Sequence, residues 1–170
     1  MKLAAFEDVV AALNVAKVRY LVAGGVAVNA HGYVRLTMDI DLVIGLDGDN
    51  IRLAFSALAS IGYRPTVPID AEAFSVSENR KQWQEENGMV VLNFFSDHHL
   101  ATQLDVFVEE PFEFSPEYNE AVIGELRPGL DVRFVSIPTL IRMKQVANRP
   151  KDIDDIQHLR WIQEDKDRHE

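Results

Sequence analysis

The chain reads as one α/β domain, with helices flanking a β-sheet, and three observations predict it. Apolar runs of strand length, such as Tyr20 to Ala23, Ile40 to Ile44 and Met89 to Phe95, alternate with longer stretches whose apolar residues recur at helical spacing. The 170 residues are 47% apolar and 26% charged, which suits a single core of ordinary size. No internal repeat or linker interrupts the pattern. One domain over residues 1–163 is therefore expected, followed by a tail, 164–170, that has no apolar residue and is expected to fray.

The elements follow in order. Phe6, Val9, Val10 and Leu13 predict an amphipathic helix over 4–17. A buried strand over 19–23 stops at Gly24-Gly25, and a short helix from Gly25 to Ala30 ends at His31-Gly32. A strand over 39–44 comes next, then a turn in which Asn50 or Asp49 is placed to cap a helix over 50–61. Gly62 ends that helix, and Pro65 and Pro68 leave only a short strand and loop over 63–76. Ser77 to Glu86 is a polar helix or ordered loop. Strands over 89–95 and 103–108 form a hairpin whose loop holds His98 and His99. Leu130 to Val135 adds a further strand. Pro138 and Pro150 suit the first turns of two closing helices, 138–147 and 151–163.

Composition excludes several functions. With no cysteine, disulfides, Cys-type zinc sites and thiol nucleophiles are ruled out. A net charge of −10 argues against broad non-specific nucleic-acid binding, which needs clustered Lys and Arg. The densest cationic stretch is Arg142, Lys144, Arg149 and Lys151. The longest apolar run is far short of a membrane span, and acids stand where a signal peptide needs its apolar region, so a cytoplasmic protein is expected. There is no Gly-x-x-x-x-Gly-Lys-Ser/Thr loop, and the histidines lack zinc-ligand spacing. Trp83 and Trp161 read as packing or partner residues.

The chemistry concentrates between Gly24 and Asp41. In Asp39-Ile40-Asp41-Leu42 the two carboxylates sit one residue apart on a strand, so both point to one face. Side by side they repel unless a cation lies between them, and hard oxygen donors suit Mg²⁺, the usual partner of phosphates. Gly25 lets backbone approach a phosphate, beside the N-terminus of the next helix. Asp105 is a third carboxylate in an otherwise apolar alternating strand, where a lone buried charge needs a partner. A shared metal would supply it; an exposed edge strand is the alternative. Arg35 and Thr37, just before the acid pair, could meet phosphate oxygens, or could pair locally and simply begin the strand.

The run Ala23-Gly24-Gly25, His31-Gly32, Arg35, Thr37, Asp39-Ile40-Asp41-Leu42 resembles the signature of the nucleotidyltransferase superfamily. It looks most like the small branch of minimal nucleotidyltransferases and AbiEii-type toxins, and more loosely like aminoglycoside nucleotidyltransferases. The likeness is strongest over 19–44, extends through Asp105, and is present at 136–160. It implies a mixed β-sheet flanked by helices, with C-terminal helices. It implies a metal-dependent transfer of a nucleoside monophosphate from an NTP to an acceptor hydroxyl on RNA, protein or a small molecule. Asp39, Asp41 and Asp105 would be the catalytic and metal-binding acids, for Mg²⁺ or Mn²⁺, and Asp105 would also take the acceptor's proton. Gly24, Gly25, Arg35, Thr37, Lys144, Arg149 and Lys151 would bind the nucleotide. The toxin-like branch also implies an antitoxin partner. An idle nucleotide-binding module acting through partner contact is the alternative, and the short chain, with little room for an acceptor domain, favours it.

Overall fold

The structure is a computed structural model and describes residues Met1 to His169. Seven strands make one mixed sheet in the order β3-β4-β5-β2-β1-β7-β6. The strands are β1 (Tyr20–Ala23), β2 (Asp39–Ile44), β3 (Tyr63–Pro65), β4 (Val91–Ser96), β5 (Gln103–Phe107), β6 (Val122–Arg127) and β7 (Leu130–Phe134). The eight helices among the described residues are α1 (Leu3–Val15), α2 (Gly24–His31), α3 (Gly48–Ser60), α4 (Ala71–Ser75), α5 (Ser77–Asn87), α6 (Phe114–Glu120), α7 (Ile137–Ala147) and α8 (Pro150–His169). Among the described residues no helix is long and apolar enough to cross a membrane.

Two central strands run parallel for a reason visible in the chain. β2 and β5 are separated by more than fifty residues that wrap α3, β3 and β4 around the sheet edge, so β5 arrives alongside β2 in the same direction. β1 then lies antiparallel to β2, and β4 antiparallel to β5. Along β4 and β5 burial alternates: Leu92, Phe94, Leu104 and Val106 are buried, while Val91, Asn93, Phe95, Gln103, Asp105 and Phe107 are not. One face of these strands therefore meets the core and the other stays open.

The core gathers Phe6, Val9, Val10 and Leu13 of α1 and Ile51, Ala54 and Leu58 of α3 with Ile40, Leu42, Leu104 and Val106 of the sheet. Burial of each such aliphatic side chain is worth about 1.5–3 kcal/mol. Gly32 ends α2 with φ +119°, a conformation that L side chains rarely adopt, and His31 beside it is buried and hydrogen-bonded to the Val135 carbonyl at 2.7 Å.

Several elements depart from the sequence expectation. α3 is capped by Asp47, which accepts from the Asn50 amide at 2.9 Å, rather than by Asp49 or Asn50. Asn50 is instead buried and ties the Arg19 backbone to Gly45. α4, α6 and β6 are elements that the residue pattern did not predict. α8 runs on through 164–169, where fraying is expected; Gln163 donates to Asp167 at 2.8 Å across one turn there. Trp83 packs on the core, stacked with Phe74, whereas Trp161 is 52% exposed beside His158.

Candidate active site

The acid pair stands where the sequence places it, at the start of β2, and the sheet register brings Asp105 to it. Asp41 pairs directly with Asp105 across the parallel β2–β5 ladder, and Asp39 pairs with Gln103. Residues opposed in register share a face, so Asp41 and Asp105 both stand on the open side. On the far side of Asp41 its register partner is Ala23, the residue before the glycine turn. A side chain on Gly24 would collide with the Asp41 carboxylate, and Gly24 has φ +61°. Glycine is required there for both space and conformation.

A Cβ on Gly25 would stand 2.5 Å from the Thr37 hydroxyl and 3.1 Å from Nη1 of Arg35. The glycine turn, Thr37 and Arg35 thus converge at the N-terminus of α2, whose first amides have no partner within the helix.

The electrostatics of the acids are unfavourable without a cation. Burial, then the neighbouring charges of Asp105 and Asp39, push the Asp41 carboxyl up to about 6. Burial also raises Asp105, against a hydrogen bond that Asn93 Nδ2 donates to its Oδ1 at 2.6 Å. Asn93 was not predicted from the sequence. It is a polar residue in the middle of β4, flanked by apolar ones, and its register with Asp105 is visible only once the hairpin pairing is known.

Among the described residues, no three His, Asp or Glu side chains are gathered into a ready-made metal cage. The donor chemistry of Asp39, Asp41 and Asp105 nevertheless fits a hard divalent cation, being all carboxylate and short of positive charge. One consequence concerns the apo protein. Asp41 binds its proton more tightly folded than unfolded, so the cost of its ionisation is absent at low pH. That cost sets in between its ordinary 3.8 and about 6. Apo stability should therefore fall as pH rises through this window, by no more than about 3 kcal/mol from this group. Denaturant unfolding at a series of pH values checks it; Asp41→Asn should remove that component.

Three of the four cations, Arg35, Lys144 and Arg149, pair with acids of α8. Lys144 is not a solvated helix residue: it is 3% exposed, with Nζ 2.7 Å from Asp155 and 3.3 Å from Asp152. Arg35 donates Nε and Nη2 to the two oxygens of Asp155, both at 2.6 Å. Arg149 meets Asp152 through its amide at 3.0 Å, Nε at 2.9 Å and Nη2 at 3.2 Å. Lys151 is exposed. Burial raises Asp152 and Asp155, but hydrogen bonds and cationic partners outweigh it and hold both carboxyls below their ordinary value. Arg149 and Lys144 in turn act on Asp41, and Arg149 on Asp105, in the sense that favours ionisation.

The seven-stranded mixed sheet and its flanking helices match a nucleotidyltransferase fold. The chain is similar to the crystal structure of ANT(2'')-Ia in complex with adenylyl-2''-tobramycin, at 17% identity and a TM-score of 0.57, over 92% of this chain and 86% of that one. It is also similar to the solution structure of the antibiotic-resistance factor ANT(2'')-Ia, at 18% identity and a TM-score of 0.57, over 92% and 81% of the two chains. ANT(2'')-Ia is an aminoglycoside nucleotidyltransferase. No family model and no curated protein matches the chain.

Proposed function

We propose that the protein is a metal-dependent nucleotidyltransferase that moves a nucleoside monophosphate from an NTP to an acceptor hydroxyl. The observation that carries this reading is the in-register Asp41–Asp105 pair, with Asp39 on the same face and the Gly24 turn closed against Asp41. Asp39, Asp41 and Asp105 would hold Mg²⁺ or Mn²⁺, which when bound neutralises triphosphate charge. The amides at Gly24 and Gly25 bind phosphate oxygens, with Thr37 and Arg35 beside them. Asp105 accepts the proton of the attacking hydroxyl, through the oxygen that Asn93 leaves free. The acceptor oxygen bonds to the α-phosphorus, the bond to the β-phosphate bridge breaks, and pyrophosphate leaves.

For the acceptor, a small molecule is the reading best supported. The net charge of −10 disfavours a polyanion such as RNA, and ANT(2'')-Ia is seen with an adenylylated tobramycin. The motif likeness over residues 19–44 also supports an AbiEii-type toxin with an antitoxin partner, as a finer reading. A cytoplasmic site of action goes with the proposal, since NTPs are found there.

Ligand linkage gives the experiment. Binding to the native state raises the melting temperature, so NTP with Mg²⁺ or Mn²⁺ should raise it more than NTP alone at saturating ligand. Equal shifts would remove the shared metal and nucleotide site.

A further inference from the structure

Asp155, fully buried on α8, is the hub of the cation network and lies outside the acid triad. We propose that Asp155 is a positioning residue of the nucleotide site, holding the Arg35 guanidinium against the Gly24–Gly25 turn. The inference rests on the nucleotidyltransferase reading and deepens it.

Arg35 belongs to residues 33–38, which lie outside any helix or strand. Within the segment only the Leu36 carbonyl, accepting from Nη1 at 3.0 Å, touches its guanidinium. Asp155 holds it from 120 positions away, with both carboxylate oxygens accepting from the fork at 2.6 Å. A bidentate pair sets both the distance and the rotation of the guanidinium plane. The remaining nitrogen, Nη1, donates to the Leu36 carbonyl at 3.0 Å and is the atom that would stand 3.1 Å from a Gly25 Cβ. With its fork held by Asp155, the guanidinium presents its Nη1 edge to the turn where a phosphate would sit.

The second acid divides the work. Asp152 is the third residue of α8 and accepts the amide of Arg149, the residue before the helix, as well as its Nε and Nη2. Each arginine beside the site thus has its own acid, Asp155 for Arg35 and Asp152 for Arg149. Lys144 lies between the acids and bonds both, so its charge keeps the two buried carboxylates ionised together. Lys144 holds the acids, and the acids hold the arginines.

If Asp155 acts through Arg35, removing either should cost the same binding, and removing both should cost no more. The test is a double-mutant cycle of Arg35→Ala and Asp155→Ala in a Lys144→Met background. That background leaves Arg35–Asp155 and Arg149–Asp152 as two balanced pairs. Binding isotherms are measured for ATP, GTP, CTP and UTP with Mg²⁺. Each single change is expected to weaken binding about tenfold, and the pair also about tenfold. Losses that multiply to about a hundredfold would overturn the positioning role, as would Asp155→Ala binding like its background. If Lys144→Met does not fold, Arg35→Lys, which keeps the charge but loses the fork, and Asp155→Asn, which keeps the shape but loses the charge, give the same cycle in the parent chain with the same expected non-additivity. A parent chain that binds none of the four nucleotides would remove the nucleotidyltransferase reading and this inference together. Binding by the parent with multiplying losses removes the inference alone.

Discussion

Asp105→Asn is expected to lower turnover by about 10²-fold or more, the scale of losing general-base action, while the apo protein stays at least as stable. The substitution keeps the shape of the side chain, and an amide oxygen at this position can still accept the hydrogen bond that Asn93 donates at 2.6 Å. What disappears is one negative charge facing Asp41, whose carboxyl is pushed up by burial and then by Asp105. Relief of that repulsion offsets any local loss in the apo state. Turnover and melting temperature, read on the same preparation, separate a site residue from an exposed acid. Near-parental turnover would make Asp105 a bystander on the open face of the sheet, since β5 is paired on both sides, and would leave Asp39 and Asp41 alone.

The second large effect falls on stability. Asp155→Ala leaves Lys144, Arg35 and Arg149 facing the single carboxylate of Asp152, with Lys144 3% and Asp152 0% exposed. Breaking a buried ion network by removing one partner costs about 3–5 kcal/mol, because the remaining charge is uncompensated and cannot reach water. Adding Lys144→Met should recover most of the loss, since it removes the buried excess cation and keeps its volume. Denaturant unfolding of the three proteins measures this. A loss under about 1 kcal/mol for Asp155→Ala would show that the network is hydrated and contributes little.

The pattern of residues carried the centre of the fold further than its periphery. β1 is a fully buried apolar run that stops at glycines, while β5 and the first half of β2 alternate, so the existence of all three and the facing of the acids follow from local pattern. β6 gives no such signal: Val122 and Ile123 are adjacent and both exposed, and an edge strand with little buried surface leaves no period to find. The acid pair and glycine turn were legible because their interval is local. The Asp41–Asp105 register is not local and depends on how the hairpin docks beside β2. The same limit explains Lys144. Its partners stand 8 and 11 positions away across the α7–α8 turn, a spacing that no single helix would bring together. Read along the helix it is a surface cation; in the fold it is a buried one.

The central claim is that Asp39, Asp41 and Asp105 transfer a nucleoside monophosphate. The most direct measurement incubates the parent chain and Asp41→Asn with Mg²⁺, each of the four NTPs and, separately, tobramycin, tRNA or no added acceptor. Mass analysis then covers the acceptor, the chain itself and the released phosphates. The account predicts that an acceptor gains the mass of one nucleoside monophosphate, with pyrophosphate released in equal amount, and that Asp41→Asn abolishes both. NTP that binds the parent chain and remains unchanged with every acceptor would contradict it, and would mark the site as a nucleotide-binding module without turnover.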